Sequence, residues 1–170
     1  MRTALLFSCF AAALFAFTAT ATADVIGDRH WAVNIFGASL HQNRSRHYNE
    51  ANLGLGVQYY FGDSVLGLRV PRGCFGALDG MRDSLRGLAL SAGIGCEHEV
   101  FGFWDYHFSV GAELARIRYG APNHPTMYGT TVIPGVSIRK KRWALNVDML
   151  VPWSGQHDGV LFAFFTRHFK

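Results

Sequence analysis

Three residues of this chain belong to the types from which acyl-transfer sites are built: His41, Asp83 and Ser84. A serine hydroxyl is a weak nucleophile until an adjacent imidazole takes its proton, and a carboxylate can orient or charge such a site. The same residue types are common in solvated turns, so a plain surface loop is the alternative interpretation. The two interpretations differ in whether the fold brings these side chains together.

The elements that must position them are predicted by alternation of small and aromatic residues in segments separated by polar turns. Such alternation predicts β-strands, and stretches with helical periodicity and caps are hard to find. The segments give eight strands, which is the smallest number in outer-membrane barrels. The predicted strands are 30–41, 50–62, 72–84, 87–99, 104–118, 128–139, 142–153 and 158–169.

Two faces are clearest in the fourth predicted strand, where Ala89, Ser91, Gly93 and Gly95 alternate with Leu88, Leu90, Ala92 and Ile94. We expect the second, more apolar set to face lipid. Aromatic residues near strand ends are typical of the girdles at membrane interfaces. A soluble lipocalin-like barrel, the alternative, would need its apolar side chains inside and a polar exterior. The sequence therefore predicts an all-β fold, an eight-stranded antiparallel transmembrane β-barrel of the bacterial outer membrane.

Residues 1–23 have the features of a secretory signal peptide: a positive charge at Arg2, an apolar run to Phe17 and small residues up to Ala23. The apolar run is shorter than the roughly 20 residues of a membrane-spanning helix. We therefore expect one exported β-barrel domain, residues 24–170, whose membrane spans are strands. A closed barrel satisfies its own backbone, so a monomer is expected.

The mature chain would keep Cys74 and Cys96 in a compartment that permits disulfides. A disulfide and two free thiols are both compatible with the sequence. The spacing fits no metal motif, and no metal or organic cofactor is implied. Part of the formal charge of +4 lies in the run 139–142, which we interpret as a solvated turn. No nucleic-acid partner is expected for an exported barrel.

An even-stranded barrel with short periplasmic turns places the connections after its odd-numbered strands at the cell surface. This topology puts His41, Asp83 and Ser84 on one rim, below the loop 119–128. Arg116 and Arg118, near the top of the fifth predicted strand, could bind a phosphate bidentately, with a surface ion pair as the alternative.

Two prolines, Pro134 and Pro152, lie inside the sixth and seventh predicted strands. Proline has no N–H to donate to a ladder and is normally confined to edges, strand ends or bulges. Because a closed barrel has no edge, two prolines on adjacent strands predict a gap in its wall. The alternative is that either proline marks the end of a strand.

Short motifs follow one another along residues 41–169: Arg46-His47-Tyr48-Asn49-Glu50, then Arg82-Asp83-Ser84, then Ala92-Gly93-Ile94-Gly95-Cys96-Glu97, and a final aromatic strand. This pattern resembles the outer-membrane lipid A palmitoyltransferase (PagP) family, which has similar stretches in the same order. The chain departs from the family in three places, one of which is a shorter loop between His41 and Tyr48. Only residues 24–29 precede the first predicted strand, where the best-known members have an amphipathic helix, and residues 51–53 contain no proline at a second lateral opening.

The resemblance implies an acyltransferase that moves a palmitoyl-like chain from a glycerophospholipid to lipid A at the cell surface. It implies that His41, Asp83 and Ser84 are catalytic, and that Gly95 is the floor of an interior acyl pocket. Pro134 and Pro152 would flank the lateral entry of lipid. The alternatives are a lipid hydrolase of the lipid A deacylase or phospholipase type, and a non-catalytic structural barrel.

Overall fold

The computed structural model describes residues 30–43, 48–84, 86–120, 126–151 and 159–169, and this part of the chain contains strands and no helices. The predicted signal segment 1–23 lies outside the described residues. The strands are β1 (His30–His41), β2 (Gly54–Tyr60), β3 (Ser64–Val65), β4 (Leu68–Arg69), β5 (Cys74–Arg82), β6 (Leu88–Phe103), β7 (Tyr106–Tyr119), β8 (Met127–Lys140), β9 (Trp143–Leu150) and β10 (Val160–Phe169).

Eight of these strands form a closed antiparallel barrel, in the order β1-β2-β5-β6-β7-β8-β9-β10 and back to β1. The seam between β1 and β10 runs from the pair Trp31 and Phe169 to the pair His41 and Val160. The predicted all-β, eight-stranded antiparallel barrel is therefore confirmed. The strands β3 and β4 form a separate hairpin in the connection between β2 and β5.

Most strand positions agree with the sequence pattern, and β2 is the main exception because it begins at Gly54 instead of residue 50. The segment before it is held by isolated backbone hydrogen bonds instead of a ladder. Ser39 N–H donates to Glu50 O, and Arg82 N–H donates to Leu53 O, each at 2.9 Å. The segment therefore crosses from β1 to β5 at the end of the barrel where both of these strands end.

The two ends of the barrel have different connections. The end that holds His30 and Phe169, called the lower end below, has two-residue turns between β6 and β7 and between β8 and β9. Trp104 and Lys141 adopt positive φ in these turns, as tight hairpins require. The lower end also has the connection 61–73, which contains β3 and β4, while the opposite end, called the mouth, has the connections 42–53, 83–87, 120–126 and 151–159.

Side chains alternate between the interior and the outer wall, as the pleat of a strand dictates. In β6, Leu88, Leu90 and Ile94 point outwards and are 52%, 42% and 63% exposed. The two faces predicted for this strand match its burial pattern. The outer wall is thus mostly apolar, which is the opposite of the arrangement that a lipocalin-like barrel needs. Among the described residues, no helix is long and apolar enough to cross a membrane.

Two apolar clusters fill part of the interior. One, in the lower half, contains Ala32, Tyr60, Phe75 and Ala77. The other lies toward the mouth and contains Ala115, Ile117, Leu150 and Val160, with Tyr119, Ile133 and Phe162 packed against it. Polar side chains lie between and below the clusters.

Cys74 and Cys96 form a disulfide, which decides between the two states that the sequence left open. They are direct partners in the ladder between β5 and β6. Because their neighbours Phe75 and Gly95 face the interior, the disulfide lies on the outer wall.

Candidate functional site

A cavity of about 320 Å³ opens at the mouth of the barrel. This volume is within the range of small-molecule and lipid-binding pockets. Its walls are largely apolar and include Phe36, Ile117, Ile133, Leu150, Phe162 and Phe164. All three predicted catalytic residues, His41, Asp83 and Ser84, line this same cavity.

His41 is the last residue of β1, and its buried ring points into the barrel. The ring stacks on Tyr48, with 4.1 Å between the ring centroids. The following residue, Asn49, donates its backbone N–H to Ser84 O at 2.9 Å. The short segment 48–50 therefore joins the end of β1 to the turn after β5, and so brings His41 and Ser84 to one side of the mouth.

Asp83 and Ser84 lie in the turn between β5 and β6. The Gly87 N–H donates to the Asp83 carboxylate at 2.6 Å, and backbone hydrogen bonds from Asp83 to Gly87 and from Arg86 to Asp83 close the turn. Asp83 is buried and Ser84 is half-buried. A fixed, partly desolvated carboxylate that lines one cavity together with an imidazole and a hydroxyl supplies the groups that general acid–base chemistry uses.

The deeper part of the cavity is polar, which the sequence analysis did not predict. Asp79, Glu113 and Asp148 line it together with Asn34, Gln58 and Ser91. Asn34 and Ser91 donate hydrogen bonds to the Asp79 carboxylate at 3.1 and 3.2 Å. The apolar compartment therefore ends at a layer of carboxylates and amides, called the carboxylate layer below. Within the described residues, no group of His, Cys, Asp and Glu is arranged to hold a metal ion.

Each carboxylate in this layer lies over a glycine of a neighbouring strand. A Cβ atom on Gly56, Gly93 or Gly135 would overlap the side chain of Asp79, Glu113 or Asp148, respectively. Acidic residues at inward positions, next to glycines on the adjacent strand, are the signal that could have identified this layer from the sequence. Tyr48, Asn52 and Tyr119, which also line the cavity, carry no comparable signal.

Gly95 is not among the residues that line the cavity, although its ladder partner Glu113 is, and its role as a pocket floor stays a prediction. Gly95 pairs with Phe75 on β5 and with Glu113 on β7. The Phe75 ring covers its inward side: a Cβ on Gly95 would lie 2.6 Å from Phe75 Cζ and 2.9 Å from Ala112 O. The glycine makes room for this ring, one layer below the cavity.

Pro134 lies on the outer face of β8, and the pairing between β8 and β9 stops beside it. This ladder runs from Lys140 and Trp143 up to Gly135 and Asp148, whereas β8 continues to pair with β7 as far as Met127. In the part of the chain that is described, the segment of β8 from Met127 to Ile133 has no ladder partner on its β9 side. The other predicted lateral residue, Pro152, lies outside the described residues.

Arg116 and Arg118 are exposed on the outer wall near the mouth and do not line the cavity. An Arg116 guanidinium N–H donates to Thr130 Oγ1 at 3.0 Å, and the guanidinium lies 5.7 Å from the centre of the Tyr128 ring. The structure therefore separates these arginines from His41, Asp83 and Ser84 by the barrel wall.

The lower interior is a second polar region with its own hydrogen bonds. Tyr60 donates to Glu97 at 2.9 Å, and a ring nitrogen of His107 lies 2.9 Å from the Glu99 carboxylate. Arg139 is buried, with its guanidinium 3.9 Å from Glu99. Ring nitrogens of His30 and His168 lie 3.0 Å apart nearby. These side chains fill the barrel below the carboxylate layer.

No protein-family model matches the chain, and no curated protein matches it. The resemblance to the PagP family therefore stays a prediction from the motifs.

Proposed function

We propose that this protein is an outer-membrane acyltransferase that moves a palmitoyl-like chain from a glycerophospholipid to lipid A. One observation carries the proposal: His41, Asp83 and Ser84, from separate strands and turns, line the mouth of one cavity with apolar walls. A structural barrel has no need for this combination. The apolar outer wall supports a membrane location, because contiguous exposed apolar surface of this extent is unfavourable in water.

In the proposed reaction, the acyl chain of the donor occupies the apolar part of the cavity, and its ester carbonyl lies at the mouth. The His41 imidazole takes the proton of a lipid A hydroxyl as its oxygen attacks the carbonyl carbon. The ester bond to the glycerol oxygen then breaks, and His41 returns the proton to that oxygen. The Asp83 carboxylate orients the reacting groups and supplies a negative charge to the site. The Ser84 hydroxyl stabilises the oxyanion.

The gap between β8 and β9 supports a route for the donor from the side of the barrel. Lipid that enters from the mouth would have to leave the bilayer, whereas a gap in the wall lets an acyl chain pass between lipid and cavity. The interrupted ladder beside Pro134 fits this route. The active site would face the cell surface, with the two-residue turns in the periplasm.

The experiment that tests this function is mass spectrometry of lipid A from cells that express the wild type, His41→Asn or Ser84→Ala. We expect a species heavier by one acyl group with the wild type and its loss with both variants. Matched controls are His98→Asn, on the exposed outer wall, and Ser109→Ala, in the lower interior. Free fatty acid released without a heavier lipid A would indicate a hydrolase, and identical lipids in all cells would indicate a non-catalytic barrel.

A further inference from the structure

Three arginines point away from the barrel at the mouth end of two strands, β5 and β7, which flank β6. Arg82 is the last residue of β5, and Arg116 and Arg118 lie near the end of β7. Arg82 pairs with Leu88 of β6, whereas Arg116 and Arg118 pair with Ala92 and Leu90 of β6 on one side and with Thr130 and Tyr128 of β8 on the other. We call these three arginines the outer arginine cluster.

Among the described residues, no carboxylate forms an ion pair with an arginine of the cluster. Asp83 lies at the cavity mouth, and Asp63 and Asp105 lie in turns at the lower end, far from the cluster. Five further carboxylates face the barrel interior: Asp79, Glu97, Glu99, Glu113 and Asp148. Glu50, the remaining one in the part of the chain that is described, lies in the connection between β1 and β2, and its backbone oxygen accepts from Ser39 N–H of β1. The described ion pairs involve Arg72, His107 and Arg139, and none of the cluster.

Arg116 is oriented for a ligand by uncharged neighbours. Its contact with Thr130 Oγ1 uses one of the five N–H donors of the guanidinium, and Tyr128 supports one side of it. The remaining donors are exposed to the surroundings of the barrel. A guanidinium with its plane fixed and its other donors available is suited to bidentate contact with phosphate oxygens.

Directly below the cluster, toward the lower end, the outer wall is apolar. The next row of outward side chains consists of Ile94, Leu114 and Val132, which are 63%, 51% and 52% exposed. Cations above apolar side chains on one face are complementary to an amphiphile with an anionic head and hydrocarbon chains.

We propose that Arg82, Arg116 and Arg118 form an outer-wall binding site for a membrane lipid that carries a phosphate monoester. This inference rests on the proposed membrane location and deepens the proposed function, because it concerns how the acceptor lipid is held. A phosphate monoester carries a charge of about −1.5 to −2 at neutral pH, so it suits several arginines on one surface that form no ion pair with a described carboxylate. A phosphodiester headgroup carries one negative charge and fits less well.

The site lies outside the cavity, and β8 alone separates Arg116 and Arg118 on β7 from the gap between β8 and β9. Thr130 and Pro134 are both outward residues of β8, so a lipid held by the cluster would lie beside the interrupted ladder. The cluster therefore binds its lipid without touching the reacting atoms. Its loss should raise the KM for the phosphorylated acceptor and leave kcat nearly unchanged.

The test is lipid binding by the purified mature protein in phosphatidylcholine nanodiscs, with three probes: lipid A bearing its phosphate monoesters, the same lipid A after dephosphorylation, and phosphatidylglycerol. We expect the wild type to bind phosphorylated lipid A at least about tenfold more tightly than the other two. The double variant Arg116→Gln/Arg118→Gln should lose about tenfold in this affinity, and Arg82→Gln less. The matched control is Lys140→Gln/Arg167→Gln, which removes two outer-wall cations at the lower end and should bind like the wild type.

Equal binding of the three lipids, or unchanged binding by the double variant, would overturn the inference. Displacement of the lipid by millimolar inorganic phosphate would also overturn it, because the site would then recognise free phosphate. Ser84→Ala should bind phosphorylated lipid A normally. If Ser84→Ala binds phosphorylated lipid A but the wild type transfers no acyl chain, the proposed function is refuted and this inference stands. If the wild type and Arg116→Gln/Arg118→Gln transfer the acyl chain equally well, this inference is refuted and the proposed function stands.

Discussion

Asn34 shows how single polar side chains join distant strands inside this barrel. Its side-chain N–H donates to the Asp79 carboxylate at 3.1 Å, and its oxygen accepts from the Thr166 hydroxyl at 2.8 Å. Asn146 in turn donates to Thr166 Oγ1 at 2.8 Å. Only 1% of the surface of Asn34 is exposed, so its amide depends on these side-chain partners. One amide thus connects β1 with β5 and β10.

We predict that Asn34→Ala lowers the free energy of unfolding by about 1–3 kcal/mol, because it leaves two buried polar groups without their partner. Urea unfolding of the protein in detergent measures this loss. The matched control is Asn49→Ala, whose exposed hydrogen bond to Ala51 O contributes less. Equal stabilities of the two variants would contradict the prediction.

A second prediction compares Gly95, whose inward side is covered by the Phe75 ring, with Ser91, which lines the cavity. In Gly95→Ala the new methyl group would press against the Phe75 ring, so we expect a loss of about 1–3 kcal/mol of stability. The length of the transferred acyl chain should not change, since Gly95 is outside the cavity. Ser91→Leu places a larger side chain in the deeper part of the cavity and should shorten the preferred chain.

Mass spectrometry of the acylated lipid A distinguishes the two variants in this respect. A shorter chain with Gly95→Ala, and an unchanged chain with Ser91→Leu, would show that the cavity ends at Gly95 after all.

At the level of residues, the sequence predicted the shared rim of His41, Asp83 and Ser84 from topology alone. It did not predict the carboxylate layer, because alternation gives the face of a side chain but not its height in the barrel. Height depends on strand tilt and on the register of neighbouring strands, which are tertiary properties. The resemblance implies a role for Gly95 without giving its register, and the role as a pocket floor stays a prediction.

Among the elements, β8 has the most unusual pairing. It pairs with β7 along its whole length and with β9 only below Pro134. Proline has no N–H with which to extend the second ladder.

We predict that Pro134→Ala lets β8 and β9 pair further toward the mouth, and so narrows the lateral gap. Acyl transfer should slow several-fold, while stability should stay the same or rise by up to about 1 kcal/mol. The measurements are the transfer rate in lipid vesicles and amide hydrogen exchange of residues 130–134. The matched control is Pro71→Ala, an exposed proline in the connection at the lower end. Greater amide protection without a slower rate would refute lateral entry at this gap.

The disulfide gives a prediction for the β5–β6 hairpin. The two cysteines are 22 residues apart, so in the chain-entropy model their link stabilises the fold by about 3 kcal/mol. We expect Cys74→Ser/Cys96→Ser to lose a free energy of unfolding of this order. Dithiothreitol should cause the same loss in the wild type and none in the double variant. A wild type whose stability does not respond to the reductant would contradict this prediction.

The strands themselves were predictable, because each barrel strand has one apolar and one mixed face. The hairpin of β3 and β4 was not predicted, since two-residue strands carry no periodicity. Its turn depends on positive φ at Leu66 and Gly67, and leucine is not a turn signal. The disulfide was undecided because the distance between two cysteines follows from register, which only the pairing of β5 with β6 supplies.

For the whole molecule, the distribution of tryptophans tests the proposed orientation in a bilayer. Trp31, Trp104 and Trp143 are 56%, 87% and 46% exposed, and all three lie at the lower end. Cation–aromatic pairs, such as Arg167 over the Trp143 ring, occupy the same level. This combination is typical of a membrane interface.

We predict that the fluorescence of a Trp153→Phe variant, which keeps these three tryptophans, is quenched more by lipids brominated near the headgroup than by lipids brominated at the chain ends. The reason is that all three rings would lie at headgroup depth. The control is the same protein in unlabelled lipid. Stronger quenching from the chain ends would place the lower end inside the hydrocarbon and contradict the proposed membrane position.

Closure of the barrel brings together parts of the chain that are far apart, and this has a consequence for folding kinetics. His30 and His168, which approach within 3.0 Å across the seam, are 138 residues apart. Hairpins such as β6–β7 form locally within microseconds, whereas contacts of high sequence separation form slowly. The seam should therefore be the last ladder to assemble. Until then β1 and β10 are unpaired edges that can add strands from another chain, so the lifetime of the open sheet sets the risk of misassembly.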